Sequence, residues 1–540
     1  MTWMRALIAL TGLTLSASLA AQEFEDILPQ TLPVPLDESD PERIEVGELI
    51  YRGGLRIEPE IEGGEEEIGG ISGLEWVDDE AAPGGGALWA VSDNGRWMRI
   101  VPDESNGVLR DIYGMDIGTL RDLDGDKLKG KSDGDAEAIA FLPTIGWWVS
   151  FEQDHRIWQY SDIAASAEWP TSAPQEMPLI FMPADLLPSN NGIEALAAHG
   201  QGMIACAEFA DAQKNNCVRV DETGEALGFQ LLAPPALAEH GGAPTDAACA
   251  QDGTCYVLIR SFKPGYGNRA ALIELAPDNA QKTLAVFDAP LTLDNFEGLA
   301  LREQFGKRYL YLASDDNFNN CFETGSANCQ HNLLLKFEIK SDEPPPAQVA
   351  DAPEPDPQFE TVDVVLETQM GDITIALEVE RAPITAANFL RYVEEGRFDG
   401  TVFYRAMSLD REPKPNGLLQ GGTQFDPKRI LPGIEHEPTT KTGLSHTNGA
   451  LSMAMLEPGS ANGDFSIMLQ DQTGLDARPE DPDPVWQNGY AVFGYVIEGM
   501  DVVAAIHGSP TDPDKGEGAM RGQMLAEPVT IIKARRIVAD

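Results

Sequence analysis

The sequence is short of basic residues and has no apolar segment long enough for a membrane helix. Its 540 residues include 38 Lys and Arg against 88 Asp and Glu, which gives a net charge of −50. Such a surface repels the phosphates of nucleic acids and the headgroups of anionic lipids. No segment approaches the ~20 consecutive apolar residues of a transmembrane helix. These absences argue against a nucleic-acid partner and predict no membrane span; they leave the oligomeric state open.

Cysteine is scarce, and none follows residue 330. The six cysteines form three close pairs: Cys206 and Cys217, Cys249 and Cys255, and Cys321 and Cys329. No pair has zinc-site spacing with suitable histidines nearby. The sequence does not distinguish the connectivities that six cysteines allow. Pairing within each close pair, where a disulfide would join two strands of one hairpin, is the simplest hypothesis.

The N-terminus has the pattern of a cleaved export signal. Arg5 provides a positive charge, residues 6–15 form a short apolar run, and residues 16–21 are mostly small. Cleavage near Ala20 or Ala21 fits the small-residue rule for such signals. We therefore expect residues 1–21 to be a signal peptide and the mature protein to be exported, either periplasmic or secreted. The cysteine pairs agree with that compartment.

A proline-rich acidic segment divides the remaining chain into two parts. Residues 341–358 read SDEPPPAQVADAPEPDPQ and show no hydrophobic period. Prolines and mutually repelling charges predict a stiff, extended linker. We expect a first domain at 40–340, a linker at 341–360 and a second domain at 361–540. A chain of this length requires two or more cores in any case.

The first domain contains a faint internal repeat. Short segments begin at residues 71, 135, 192, 244 and 296, roughly 50–65 residues apart. Four of them place an acidic residue before a small-apolar-small run, and Ser72 takes that position in the first. Most are followed by a second strand-like run after a turn. This pattern predicts a mainly β fold, a β-propeller of six blades. The sixth blade would combine residues 47–57 with 333–340 and close the ring.

Four motifs in this domain resemble the phytase-like propeller family, which is named for the esterase-like activity of phytase. They are ALWAVSDNGRW, KSDGDAEAIAF, WWVSFEQDHRIWQY and NNGIEALA. The resemblance covers about 300 residues and implies the fold more firmly than the activity. The histidine-phosphatase signature R-H-G-x-R-x-P does not occur.

The repeat also places acidic groups at equivalent positions in the blades, where they could meet at one mouth of the central channel. Several carboxylates together suit Ca²⁺, which prefers hard oxygen ligands, and His155 with Arg156 could hold a phosphate or an ester. The alternative is structural, because repeated acids also bond to amides of neighbouring strands. The candidate residues are Asp93, Glu137, Glu152, His155, Glu194, Glu208, Glu297 and Asp315.

Residues 122–135, DLDGDKLKGKSDGD, have some features of a calcium loop. They lack the closing glutamate and flanking helices of an EF-hand. The sequence therefore favours a surface turn here.

The second domain shows an ordered series of motifs. VVLETQMGDITIALE predicts two strands around a turn at 370–372. A helix begins at Pro383, and Gly396 ends it. Next come FYR, LQGG, LSMA, FSI and VFGYVIEGMDVV. In order and spacing these motifs resemble a cyclophilin-type peptidyl-prolyl cis-trans isomerase over nearly the whole domain. The resemblance implies a closed, eight-stranded antiparallel β-barrel capped by two helices.

The resemblance also implies a mechanism and its residues. Rotation of an X-Pro amide meets a barrier of ~18–20 kcal/mol, and lowering it needs no nucleophile, metal or cofactor. It needs an apolar pocket and a hydrogen-bond donor aimed at the proline nitrogen. Arg405 stands where the family has this donor, and Gln420 matches the glutamine that orients it. The residues expected to bind substrate are Phe403, Leu418, Met453, Ala454, Asp464, Phe465 and Tyr490.

Several positions depart from the family pattern. Gly417 replaces a pocket aromatic, Ser466 replaces a phenylalanine and Asp464 replaces a glutamine. The insertion at 408–417 also separates Arg405 from Gln420. We expect a shallower, less apolar proline pocket, with activity that is reduced or selective unless Leu418 or Met455 refills it.

The sequence thus predicts a prolyl isomerase that acts on exported, proline-containing proteins. Two alternatives remain: a cyclophilin-shaped peptide-binding module with little turnover, and a phosphoester or ester hydrolase centred on the propeller.

Overall fold

The computed structural model describes residues 25–58, 68–79, 82–105, 107–142, 146–160, 173–177, 192–199, 202–207, 216–221, 225–238, 241–317, 330–340, 357–409 and 414–537. The predicted signal peptide, Glu208, Cys321, Cys329 and most of the predicted linker lie outside these residues.

The first domain is built almost entirely from antiparallel strands. In chain order they are β1 (Glu25–Ile27), β2 (Thr31–Pro33), β3 (Glu45–Val46), β4 (Leu49–Ile57), β5 (Ile71–Asp78), β6 (Gly86–Ser92), β7 (Arg96–Ser105), β8 (Val108–Thr119), β9 (Ala136–Leu142), β10 (Gly146–Phe151), β11 (Arg156–Tyr160), β12 (Gln175–Met177), β13 (Ile193–His199), β14 (Gly202–Ala207), β15 (Cys217–Val220), β16 (Ala226–Phe229), β17 (Ala243–Cys249), β18 (Cys255–Lys263), β19 (Gly267–Leu275), β20 (Gln281–Phe287), β21 (Asn295–Gln304), β22 (Lys307–Asp315) and β23 (Asn332–Ile339). Two single-turn helices, α1 (Lys131–Gly134) and α2 (Pro235–Ala238), and a 3₁₀ turn at Pro83–Gly85 lie between them.

These strands form five blades, so the prediction of six is wrong. The five sheets begin with β5, β9, β13, β17 and β21, and these first strands pack side by side around the ring. Residues 47–57 and 333–340 do pair, as β4 with β23. They are neighbouring strands of the fifth blade, because β23 already pairs with β22 of that blade. The start of the chain therefore closes the ring inside blade five and removes a free edge.

Small residues line the inner strands because these strands approach closely at the axis. A Cβ on Gly73 of β5 would lie 2.8 Å from the Cα of Ala138 on β9. Ala136, Ala138 and Ala140 are all buried between blades. Larger side chains pack further out, as where Trp89 lies 5.0 Å from Trp147 between ring centres. This gradient in size lets the blades converge.

Two disulfides join adjacent strands of the propeller, as the local-pairing hypothesis predicts. Cys206 faces Cys217 across β14 and β15, and the two are bonded. Cys249 faces Cys255 across β17 and β18, also bonded. The prediction for Cys321 and Cys329 falls outside the described residues.

The second domain is a closed barrel. Its strands are β24 (Val362–Thr368), β25 (Gly371–Leu377), β26 (Thr401–Ser408), β27 (Gly417–Gly422), β28 (Ala450–Met453), β29 (Asp464–Leu469), β30 (Val492–Glu498), β31 (Thr511–Asp512) and β32 (Met524–Arg536). Its helices are α3 (Pro383–Glu394), α4 (Thr439–Thr442), α5 (Pro484–Asn488) and α6 (Met500–His507), with 3₁₀ turns at Thr473–Leu475 and Gly518–Met520.

Eight strands of this domain follow one another in the order β24, β25, β30, β28, β29, β27, β26 and β32, and β32 pairs back to β24. The predicted eight-stranded barrel is therefore confirmed, and helices α3 and α6 pack against its strands. Short β31 pairs with β32 outside this circuit. The interior is aromatic, with Phe389 of α3 lying 5.2 Å from Phe465 and 5.1 Å from Phe493 between ring centres.

Helix α3 has a side-chain cap that comes from a distant loop. Its start at Pro383 suits proline, which has no amide hydrogen to satisfy. The Glu437 carboxylate accepts hydrogen bonds from the amides of Ile384 (3.0 Å) and Thr385 (2.9 Å). A buried carboxylate at this end satisfies free N–H groups and complements the helix dipole. Among the described helices, none is long and apolar enough to cross a membrane.

Candidate functional sites

Arg405 of β26 is held on two sides by glutamine side chains. Its Nη1 donates to Oε1 of Gln420, the facing residue on β27, at 2.8 Å. Its Nε and Nη2 donate to Oε1 of Gln523 at 2.9 and 2.7 Å. Burial lowers the pKa of Arg405 from its ordinary value, yet a guanidinium stays charged at any physiological pH. These bonds leave one N–H on each terminal nitrogen with no acceptor among the described residues.

Gln523 is a site residue that was not predicted from the sequence. This residue directly precedes β32, and its carbonyl accepts the amide of Ala406 at 2.9 Å. It lies far from Arg405 in the chain, and no sequence motif marks it. The closure of β32 onto β26 brings the two together.

The predicted substrate-binding residues divide by burial. Leu418, Ala454 and Tyr490 are partly exposed, and the ring of Tyr490 lies 6.2 Å from that of Trp486. Met453 is 2% exposed, while Phe403 and Phe465 are completely buried in the aromatic interior. Leu418, Ala454 and Tyr490 therefore lie at the barrel surface, and Phe403 and Phe465 lie behind them in the interior.

Asp464, which replaces the family glutamine, binds a loop. Its side chain is completely buried, and its Oδ1 accepts the amide of Gln424 at 2.8 Å. Its Oδ2 accepts the amide of Phe425 at 3.2 Å. Both donor residues, Gln424 and Phe425, lie in the left-handed region of backbone conformation, at φ of 50° and 58°. The carboxylate therefore stabilises an unusual turn beside β27.

Gly417 cannot be an aromatic residue with this backbone. Its φ is +118°, and a Cβ there would lie 1.9 Å from the carbonyl oxygen of Met407. A side chain of any kind is therefore excluded at this position for a steric reason. Leu418 and Met455 are partly buried and pack against the barrel core.

A buried polar chain runs behind this surface. Nδ1 of His446 lies 2.6 Å from Oδ1 of Asp476, and its Nε2 lies 2.9 Å from Oγ of Ser452. His446 is completely buried and Ser452 is 2% exposed, so a substrate cannot reach them in this conformation. Burial lowers the pKa of His446, although Asp476 opposes the shift.

The propeller holds a second candidate site, a polar cavity of about 1000 Å³ at the ring centre. Six of the seven predicted acidic residues line it, and the remaining one, Glu208, lies outside the described residues. His155 is not among the described lining residues. Arg156 donates to the carbonyl oxygens of Asp133 and Asp154 and stacks on Phe151. The six are Asp93, Glu137, Glu152, Glu194, Glu297 and Asp315.

Every inner strand has a β-bulge, and in four of the five blades the bulged residue lines this cavity. In each blade the register between the first two strands shifts by one residue, which leaves an extra residue on the inner strand. Bulges of this kind re-aim side chains. In blade four the bulged residue is Thr245, although the sequence repeat aligns Asp246 with the other acids. The bulged residues are Ser72, Glu137, Glu194, Thr245 and Glu297.

Basic groups neutralise part of this cavity. Lys131 Nζ lies 2.7 Å from Oδ2 of Asp93 and 3.3 Å from Oδ1 of Asp135. Arg260 Nη2 lies 3.1 Å from Oε1 of Glu297. Burial raises the pKa of Asp93. Lys131 and Asp135 come from the segment 122–135, which the sequence analysis interpreted as a surface turn; its end reaches the cavity.

Burial and crowding also raise other pKa values here. The pKa of Glu137 is raised well above its ordinary value by burial first and then by Glu194, Asp135, Glu297 and Glu152. Burial and the charge of Glu297 raise the pKa of Asp315 to about 8.

Comparisons with known proteins agree with both predicted resemblances. Residues 66–318 match the phytase-like family model, described as esterase-like activity of phytase. Residues 362–535 match the model for cyclophilin-type peptidyl-prolyl cis-trans isomerases.

Three relatives match the second domain. A peptidyl-prolyl cis-trans isomerase of Acinetobacter baylyi is 36% identical over 176 residues, which is 32% of this chain and 84% of the relative. Peptidyl-prolyl cis-trans isomerase cyp18 of Streptomyces antibioticus is also 36% identical, over 32% of this chain and 96% of the relative. Peptidyl-prolyl cis-trans isomerase B of Escherichia coli is 35% identical, over 31% of this chain and 95% of the relative. Through its C-terminal barrel, the chain belongs to the cyclophilin family of peptidyl-prolyl cis-trans isomerases.

Proposed function

We propose that the protein catalyses cis-trans isomerisation of X-Pro bonds in exported proteins, with Arg405 as the group that stabilises the transition state. The observation that carries this proposal is that the side chains of Gln420 and Gln523 both accept hydrogen bonds from the Arg405 guanidinium and so fix its orientation. A donor held in place before the reaction costs little reorganisation as charge develops on the substrate.

The chemistry follows from the amide bond. In the planar ground state the proline nitrogen shares its lone pair with the carbonyl group, which creates the barrier of ~18–20 kcal/mol. As the bond twists, the lone pair returns to nitrogen, and that nitrogen becomes a hydrogen-bond acceptor. An N–H of Arg405 directed at it binds the twisted form more strongly than the planar one, so it raises the rate. No covalent intermediate, metal or cofactor takes part in this scheme.

The proline ring needs an apolar surface beside Arg405. Gly417 and Ser466 offer no aromatic group, so we assign the contact to Leu418 and Met455, with Met453 behind them. These side chains are flexible and lack a flat face, which favours a shallow pocket and weaker binding of the proline ring.

Export is supported by the N-terminal charge and hydropathy pattern, which is that of a signal peptide. The two disulfides agree with it, because disulfides persist in oxidising compartments outside the cytoplasm. The substrates we propose are therefore proline-containing polypeptides in the periplasm or in the medium.

An isomerase assay on Ala-X-Pro peptides tests the proposal. We expect the wild type to accelerate isomerisation, and Arg405→Ala to lower kcat/KM by about 10²–10³-fold, the usual effect of removing one such donor. Arg405→Lys keeps the charge but loses the planar fork that both glutamines hold, so it should retain only a small part of the activity.

The matched control is Arg391→Ala, which removes an exposed arginine of α3 that pairs with Glu395 and should leave kcat/KM unchanged. Wild-type and Arg405→Ala rates that both equal the uncatalysed rate would identify a peptide-binding module instead of an enzyme.

A further inference from the structure

A group of three carboxylates with the geometry of a cation site lies at the inner cavity of the propeller, and two of them, Glu137 and Glu152, line the cavity. Oxygens of Asp135, Glu137 and Glu152 all lie within 4.8 Å of one another. Ca²⁺ binds oxygens at about 2.3–2.6 Å, so ligands on opposite sides of the ion are roughly 4.6–5.2 Å apart. One ion at the centre of the group could therefore reach all three side chains.

The three residues are set on a rigid part of blade two. Asp135 immediately precedes β9, Glu137 is the bulged residue of β9, and Glu152 immediately follows β10. The amide of Glu152 donates to the carbonyl oxygen of Asp135 at 2.8 Å, which holds the two chain segments together. Strand ends and a bulge keep the carboxylates close despite their mutual repulsion.

A cluster of acidic groups is not by itself a binding site, but the carboxylate of Glu137 is also buried without a partner among the described residues. Its side chain is only 8% exposed and lines the cavity. In the part of the chain that the structure describes, it receives no hydrogen bond and forms no ion pair. An ionised carboxylate that is buried without a partner is costly, so a counter-ion supplied from solution would stabilise it.

The other residues that line the cavity also favour a bound cation. Its described lining includes seven acidic and two basic residues. Arg260 pairs with Glu297, and Lys131 pairs with Asp93 and with Asp135 of the proposed site, so neither basic residue pairs with Glu137 or Glu152 among the described contacts. The cavity is large enough for water molecules to complete the coordination of an ion. Its field attracts cations and repels anions.

We propose that Asp135, Glu137 and Glu152 bind Ca²⁺ at the centre of the propeller. Ca²⁺ fits better than Mg²⁺ because it tolerates irregular sets of six to eight oxygens, whereas Mg²⁺ requires a near-octahedral set. Lys131 is a tethered competitor for the same negative charge. Its side chain is 56% exposed, so it can turn away when the ion enters.

The test uses the full-length protein after treatment with EDTA, titrated with CaCl₂ by calorimetry and melted with and without Ca²⁺. We expect saturable binding and a higher Tm with Ca²⁺, because a ligand that binds only the folded state stabilises it. Mg²⁺ at the same concentration should raise Tm less. No saturable binding and no change in Tm at millimolar CaCl₂ would overturn the proposal.

Three variants identify the site. Glu137→Gln keeps the shape but removes a charge, so Ca²⁺ should bind at least about tenfold more weakly, while Tm in EDTA stays equal or rises as repulsion is relieved. Lys131→Met removes the competing cation and should tighten Ca²⁺ binding. Glu225→Gln, the same change at an exposed position just before β16, should bind like the wild type. Wild-type affinity in Glu137→Gln, or weaker binding in Lys131→Met, would contradict this geometry.

Discussion

At the residue scale, the mechanism that we propose depends on how well the guanidinium of Arg405 is oriented. Gln420 is the cross-strand neighbour of Arg405, so the contact between them can be predicted once strands β26 and β27 are recognised in the sequence. Gln523 holds the opposite edge of the guanidinium with a single oxygen that accepts two hydrogen bonds. A freely rotating arginine would lose part of the benefit of a fixed donor.

We therefore predict that Gln523→Ala lowers kcat by about tenfold, with little change in KM, because Gln523 positions Arg405 without touching the peptide. Gln523→Glu keeps an acceptor oxygen at the same reach and should recover most of kcat. Steady-state kinetics on a proline peptide measures both parameters. A rise in KM with unchanged kcat would instead place Gln523 in direct contact with substrate.

Gly417 shows a second effect at this scale. The sequence predicts that an aromatic residue is missing from the pocket, and the backbone at this position agrees with a glycine there. The backbone at Gly417 has a conformation that side chains rarely adopt, and a Cβ would collide with Met407. With this backbone, position 417 accepts only glycine.

At the scale of elements, the bulge on each inner strand separates two kinds of acid that look alike in the sequence. Glu137 occupies a bulge, whereas Asp246 lies one residue beyond the bulge of its blade. The completely buried Asp246 carboxylate accepts the amides of Leu74 (3.0 Å), Ala247 (2.8 Å) and Leu299 (2.7 Å). It thus joins the inner strands of blades one, four and five.

Asp246→Ala should strongly destabilise the propeller. It leaves three buried amides without acceptors at about 1–3 kcal/mol each, which corresponds to a fall in Tm of roughly 5–20 °C for a domain of this size. Asp246→Asn keeps one acceptor oxygen and should lose less. Tryptophan fluorescence can follow the melt, because seven of the nine tryptophans lie between residues 40 and 340.

Asp252→Ala is the control for this prediction. Asp252 forms an ion pair with Arg308 at 2.6 Å, but its side chain is 56% exposed. An exposed pair contributes about 0–1 kcal/mol, so this variant should melt close to the wild type. Similar melting of Asp246→Ala and wild type would show that the three-strand contact does not stabilise the ring.

At the scale of the whole molecule, the two domains should respond to pH in opposite directions. In the propeller, burial raises the pKa of Glu75 to about 8 and raises that of Asp246 well above its ordinary value. In the barrel, burial lowers the pKa values of His446 and His507. Buried acids therefore oppose folding as they ionise, and buried histidines oppose it as they gain protons.

The sign of each effect follows from linkage. The pKa of Glu75 is higher in the folded protein than in the unfolded chain. Glu75 therefore contributes to the stability of the folded protein at low pH, and this contribution is lost as the pH rises from about 4 towards 8. His446 has a lower pKa in the folded state, so its contribution is complete above about 6.5 and is lost as the pH falls further.

Matched variants isolate these effects from the large net charge. The difference in Tm between Glu75→Gln and wild type should shift in favour of the variant as the pH rises from 5 to about 8. The difference in Tm between wild type and His446→Gln should narrow as the pH falls from 8 to about 5. Calorimetry in EDTA, with the propeller transition assigned by tryptophan fluorescence, measures both. Differences that do not change with pH would contradict the burial of these groups.

Both domains could be identified from the sequence because their patterns are local. Alternating strands, turn residues and short motifs carry their information within a few residues, and the strand order of the barrel follows from the family that those motifs indicate. The blade count failed because it depends on where two distant segments pair. Residues 47–57 and 333–340 were recognised as partners. Only the tertiary structure shows that β23 also pairs with β22, which places both segments in blade five and not in a sixth blade.

The sequence by itself determined the two family resemblances, the β-rich fold and two of the three local cysteine pairs; the roles of Arg405 and Gln420 stay predictions. Tertiary structure alone decided the five blades, the contact between Gln523 and Arg405, and the separate environments of Glu137 and Asp246. The physical reason is that a hydrogen bond or a buried charge depends on three-dimensional distance. Residues far apart in the chain reach that distance only when a ring or a barrel closes.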